Sequence, residues 1–266
     1  MLPTNGECRL MVMSFIGKLI MSATRWLALP VLAGVIGFAI ALQFQRGGDP
    51  AFLSREVPSR KCPHCGAPQA SAVLTKSADL HCKLCGKITD LFRASETGAL
   101  EHPSWFLQGF IPSGVTRLTR GQSTDEALVN VWFSLFRKIS YREETGNGWQ
   151  RPACTWQKKA GDCEDHALLL TDSLRSLSYD ARTVAGKRKG KGHAWVVVKF
   201  KGKEYLLDQV GRRSARFPPR ASLLVAEYRP AYAFDEKNLH IPSKTGEVPA
   251  DYWNSKEWNC IPTTDL

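Results

Sequence analysis

The sequence has no internal repeat and no long low-complexity tract, which excludes a solenoid and a largely disordered chain. Cysteine is sparse, eight in 266 residues, too few for a disulfide scaffold in a chain this long. Acidic residues are outnumbered, 25 against 36 Lys and Arg, for a net charge of +11. That balance favours acidic partners, a membrane surface or nucleic acid. The cations at Arg212, Arg213, Arg216 and Arg220 carry a single aromatic among them, Phe217 beside Pro218-Pro219, too little to stack on successive bases, so nucleic acid is set aside. The remaining composition is ordinary for a globular protein, long enough for one substantial core plus accessories.

One stretch lacks charge altogether. From Trp26 to Leu42 no charged or strongly polar side chain occurs, and Gln43 and Phe44 extend the run to about the minimum that spans a bilayer, roughly 17–25 residues. Trp26 and Phe44 suit the two interfaces. Residues 26–44 therefore read as one transmembrane helix after a short segment, 1–25. The alternative is a cleaved signal peptide, because Ala39-Ile40-Ala41 resembles a cleavage site. Either way the chain is addressed to a membrane. The flanking cations nearly cancel, so charge orients the span weakly; the reading places the following domain on the outer, periplasmic or extracellular, face.

Residues 45–61, with Gly47, Gly48, Pro50 and Pro58, read as a linker. Half of the cysteines then fall in a C-x2-C-x16-C-x2-C pattern over 62–94: Cys62, Cys65, Cys82 and Cys85, each pair closed by a glycine, Gly66 or Gly86. Each pair makes a knuckle that turns two thiolates toward one ion, and the glycine permits the left-handed turn. Four sulfurs specify a tetrahedral structural zinc site and give the segment the look of a zinc ribbon. The alternative is two redox dithiols or disulfides, favoured if this part lies in an oxidising compartment.

Residues 95–122 connect. Ser123 and Glu126 form a capping box for a helix whose Ala127, Leu128, Val131, Trp132, Leu135, Phe136 and Ile139 share one face. A second helix starts at Gly161-Asp162-Cys163-Glu164-Asp165-His166, with Asp162 and Asp165 as a capping pair. Cys163 in its first turn feels the positive end of the dipole, which lowers a thiol pKa. His193 opens the apolar strand Ala194–Val198, and Asp208 closes the next strand, Glu204–Leu207. If Lys199–Gly202 is a four-residue connection, antiparallel register sets His193 opposite Asp208. Cys163, His193 and Asp208 then read as nucleophile, base and orienter of a thiol acyl-transfer site. Trp156 and Gln157 on the approach are candidate oxyanion donors, or else a packed aromatic and a solvated glutamine. His166 reads as a core or supporting residue. Asp162 and Glu164 read as capping groups, with a calcium site as the alternative. Residues 186–192 read as a mobile basic loop, Tyr232–Phe234 as an edge strand, and 241–266 as a tail packed on the surface.

These motifs, with Ala181-Arg182-Thr183-Val184-Ala185-Gly186, His193-Ala194-Trp195-Val196 and Leu207-Asp208 in order, resemble the core of the transglutaminase-like superfamily over about residues 123–235. The resemblance implies an α+β, papain-like domain (123–240 here), with the nucleophile helix packed on an antiparallel sheet. It carries the triad onto Cys163, His193 and Asp208. In the family's bacterial protease branch, acidic residues beside the cysteine bind calcium, and Asp162 and Glu164 match them. Gln209 stands where those proteases tend to carry Asn. The expected protein is a membrane-anchored thiol peptidase or amidase acting on protein or peptide amides, with structural Zn2+ and, by the resemblance, Ca2+. The alternatives are a crosslinking protein-glutamine transglutaminase and a non-catalytic zinc-stabilised scaffold.

Overall fold

The computed structural model describes residues 55–74, 78–143, 148–209, 217–244 and 246–263. The segments 1–25 and 26–44, the start of the linker, and Arg212, Arg213 and Arg216 lie outside the described residues. No helix among those described is long and apolar enough to cross a membrane.

The chain begins its described part in short strands: β1 (Arg55–Val57), β2 (Arg60–Lys61), β3 (Pro68–Gln69), β4 (Ala72–Leu74), β5 (Ala78–His81), β6 (Ile88–Ala94) and β7 (Leu100–Glu101). β1 pairs with β4 and β2 with β3, so residues 55–61, expected as linker, are the outer strands of the ribbon. Strands of two or three residues carry too little periodicity to be read from sequence. Four helices follow: α1 (Val115–Thr119), α2 (Thr124–Lys138), α3 (Pro152–Lys158) and α4 (Cys163–Ser176), with β8 (Ser140–Tyr141) before α3 and β9 (Ala160–Gly161) after it. Ser123 and Glu126 make the expected capping box on α2.

The main sheet contains β10 (Asp180–Arg188), β11 (Lys191–Phe200), β12 (Lys203–Leu207), β13 (Tyr228–Phe234), β14 (Asn238–Pro242) and β15 (Trp258–Pro262). Its order is β12-β11-β10-β13-β14-β15, antiparallel throughout. This is the α+β arrangement of a helix on an antiparallel sheet. Alternation along β11 divides the core. Ala194, Val196 and Val198 face Leu128, Val131, Leu135, Leu169, Leu170 and Leu174 of α2 and α4. Trp195 and Val197 face the other way, toward Leu206, Tyr228, Tyr252 and Trp258.

Two boundaries differ from expectation. The segment 241–266 completes the sheet as the end of β14 and all of β15, which makes β13 an interior strand rather than an edge. The ribbon is not independent either: Leu91 of β6 is fully buried with Phe106, Trp149, Leu168, Phe234 and Ile261, and the described residues all belong to one compact unit.

Candidate active site

Helix α4 is fixed at its first turn. Asp165, 1% exposed, accepts the backbone N–H of Gln150 at 2.8 Å, the Gln150 amide at 2.5 Å and the Asp162 N–H at 3.3 Å. Gly161 is required beside it, because a Cβ there would lie 2.6 Å from the Asp165 Cβ. The same approach strand is tied to the ribbon: Trp149 N–H donates to Ala94 O at 2.8 Å, and Arg151 bridges Glu96 and Glu101. Cys163 is therefore held at the start of α4, against β11 of the sheet.

Expected and observed register differ on that sheet. Phe200 pairs with Lys203 and Val196 with Leu207, so the connection is the two residues Lys201-Gly202, both at positive φ, as a type I′ turn requires. Asp208 therefore lies diagonal to His193 instead of opposite it. A shift of two residues keeps a side chain on the same face, and His193 Nε2 still meets Asp208 Oδ2 at 3.0 Å. Residues 186–192 are likewise no loose loop. β10 and β11 continue past His193, with Gly186 opposite His193 and Arg188 opposite Lys191, and close through Lys189-Gly190, again both at positive φ.

Cys163 is half-buried. Its S–H points to Glu164 Oε2 at 3.0 Å, and the backbone N–H of Ala194, next to His193, reaches its sulfur. Among the described residues no hydrogen bond joins Cys163 to His193, and His193 makes its one side-chain hydrogen bond through Nε2. Burial foremost, then the Glu164 carboxylate, pushes the thiol well above its ordinary range. The helix dipole leads to the opposite expectation. It is outweighed because a carboxylate touches the sulfur while the thiol sits in a partly desolvated cleft.

The expected oxyanion donors stand apart from this cleft. Trp156 packs on the core under Lys159, whose Nζ is 3.0 Å from the ring centroid, and Gln157 is exposed on α3. Neither lines the cavity of about 10 Å3 beside Cys163, whose walls include Tyr141, His166, Asp208 and Gln209. His166 has the supporting place expected of it. Nδ1 contacts Gln209 Oε1, Nε2 faces Ser140 O at 3.4 Å, and burial keeps the ring toward its neutral form. Among the described residues, Asp162 and Glu164 belong to no group of three or more Cys, His, Asp or Glu side chains that could hold a metal, and the Cys163 S–H points to Glu164.

The four ribbon sulfurs do converge, all within 4.8 Å of one another. Cys62–Cys85 and Cys65–Cys82 are 3.8 and 3.6 Å apart, close to the edge of ~3.8 Å in a tetrahedron with metal–sulfur bonds of about 2.3 Å. The turns at Gly66 and Gly86 have φ of 72° and 70°. Amide N–H groups of His64 and Cys85 point at Cys62 and Cys82 sulfur. The donor set fits a single metal ion in a closed shell.

Sequence reasoning missed Arg188 and Tyr228. Both reach Asp208 Oδ2, at 3.3 and 2.7 Å. Neither lies in a motif; the pairing of Arg188 with Tyr228 across β10 and β13 brings them there.

The structure thus sets a cysteine at a helix start, on one cavity with Asp208 of a His-Asp pair carried by an antiparallel sheet. Residues 113–207 match the model of the transglutaminase-like superfamily. A search of curated proteins found no match. Similar solved structures include Legionella pneumophila LapG, EGTA-treated, at 16% identity and a TM-score of 0.41, with 51% of this chain and 75% of that one covered. Calcium-bound LapG from the same organism gives 17% and 0.37, covering 52% and 92%. A candidate cysteine protease from Cytophaga hutchinsonii gives 16% and 0.34, covering 59% and 61%.

Proposed function

We propose that the protein is a thiol-dependent acyl-transfer enzyme, a cysteine peptidase or amidase acting on protein or peptide amides. The observation that carries this is the His193 Nε2–Asp208 Oδ2 contact of 3.0 Å, next to Ala194, whose N–H meets the Cys163 sulfur. An acceptor on Nε2 leaves the Nδ1 lone pair as base. Because the resting thiol is held protonated, its proton leaves during attack. Sγ turns from Glu164 to His193, bonds to the amide carbonyl carbon, and His193 takes the proton and gives it to the departing amine. Water, activated by the same imidazole, then breaks the thioester. The amide N–H groups opening α4 face the developing oxyanion. A cavity of about 10 Å3 is far below the roughly 300 Å3 that encloses a small ligand, which favours an extended peptide lying across the rim.

Cys62, Cys65, Cys82 and Cys85 would hold zinc, whose task in a closed shell is structural. Calcium at Asp162 and Glu164, which the family resemblance implies, would need backbone carbonyls or water to complete its shell of six to eight oxygens. Residues 26–44 would anchor the chain in the membrane, with the domain on the outer face. Transamidation differs only in an amine replacing water at the thioester, so peptide profiling with and without a primary amine separates the two. Amide cleavage that disappears in Cys163→Ala supports the proposal. Cleavage that persists in that variant, or no turnover and no acyl-enzyme on any peptide, favours the non-catalytic scaffold.

A further inference from the structure

Asp208 Oδ2 is crowded. Besides His193 it accepts the Tyr228 hydroxyl at 2.7 Å and lies 3.3 Å from Arg188 Nη1, with the Asp208 side chain only 2% exposed. Arg188 is held in turn by Glu227, whose Oε1 lies 3.0 Å from its Nε, and its guanidinium stands 5.3 Å from the Tyr228 ring centroid. Lys189 Nζ is 3.7 Å from the same Glu227. From the helix side, Cys163 and His166 line the same cavity as Asp208, and Glu164 reaches the Cys163 thiol; Lys191 lies across from Arg188 on β11.

We infer that Arg188 is a positioning residue for the His-Asp pair: with Tyr228 it fixes which Asp208 oxygen meets His193 and, through its link to Glu227, sets how strongly that carboxylate draws a proton onto the imidazole. The inference rests on the thiol acyl-transfer reading. Three donors converging on one oxygen leave it only an acceptor's role, which requires the neutral His193 to carry its hydrogen on Nε2. Burial and the Asp208 charge raise the Tyr228 phenol further, so it stays a donor. Arg188 tempers the attraction of Asp208 for an imidazolium, and Glu227 tempers Arg188.

The two outer charges therefore act on His193 in opposite directions. Arg188→Met removes a cation beside Asp208 and should raise the His193 titration midpoint by roughly one pH unit, about tenfold in proton affinity. Glu227→Gln leaves Arg188 in place and should lower it. Arg188→Lys should restore most of the shift. The test is a titration of the full-length chain with 15N-labelled histidine, following the His193 ring nitrogens by NMR. Nε2–H in the wild type and midpoints moving in opposite directions support the inference. Unmoved midpoints, shifts of one sign in both variants, or an Nδ1–H tautomer overturn it. Glu227→Gln, a half-exposed substitution, decides the matter if Arg188→Met does not fold. The underlying reading fails separately, if Cys163 alkylation is the same in wild type and His193→Ala.

Discussion

Two sets of cysteines in this chain meet opposite surroundings. In the ribbon, backbone amides point at the sulfurs; the N–H of Cys85 first of all, with that of Leu84, pulls Cys82 down to about 6. At the head of α4, burial and a touching carboxylate hold Cys163 up. The first setting favours a thiolate at Cys82, while against the Ala67 N–H, burial and the neighbouring sulfurs push Cys65 up to about 12. The second keeps a thiol inert until a base removes its proton. Under the proposed function, the same side chain would serve as a structural ligand in the first setting and as a restrained nucleophile in the second.

The comparison can be broken most sharply at its two centres. Cys163→Ala should abolish peptide turnover, by at least about 10^4, and leave thermal unfolding nearly unmoved; turnover that survives would show the nucleophile to be elsewhere. Cys82→Ser, or removal of the metal with a chelator, should do the reverse. Losing a structural site costs several kcal/mol, so the melting temperature should fall by on the order of 10 °C, with cleavage tracking the folded fraction. Because Leu91 of β6 packs with Leu168 of α4, unfolding should remain one transition in calorimetry. Two separate transitions would show that the ribbon melts alone.

Glu164→Gln sharpens the contrast at one site. Taking the charge from beside the sulfur should lower the Cys163 pKa by about one unit, roughly tenfold more thiolate at neutral pH. Iodoacetamide labelling followed by peptide mass spectrometry reads this directly, and an unchanged rate would assign the raised pKa to burial alone. The smallest effect concerns Glu204. Burial, then the hydrogen bond with Asp251, raises its carboxyl from 4.5 to about 7. The native state then binds that proton more tightly than the unfolded chain, so stability falls as pH rises from about 4.5 to about 7. Urea midpoints at pH 5 and pH 7.5 should converge in Glu204→Gln.

What the sequence made legible was local. Ser123 with Glu126, and Asp162 with Asp165, mark helix starts through side chains three residues apart, and both hold in the structure. The cysteine knuckles follow from spacing and two glycines. The His-Asp contact was anticipated on a wrong register, and survived because a slip of two residues preserves the face. Longer-range features were hidden. β14 and β15 are short and lie sixteen residues apart, and only pairing makes them strands. Arg188 sits within a basic run, where nothing local distinguishes it from Lys187 or Lys189. The Cys163 pKa depends on burial and on which way Glu164 points, so the capping pattern alone gave the wrong sign.

The account rests most directly on His193 taking the Cys163 proton. The decisive measurement is the pH dependence of site-resolved Cys163 alkylation in the full-length wild type and in His193→Ala. The wild-type rate should rise along a limb below the ordinary thiol pKa of about 8.5 that requires the His193 imidazole. In His193→Ala that limb should vanish and reactivity appear only above about 8.5, where the restrained thiol ionises unaided. Identical profiles in the two proteins would contradict it.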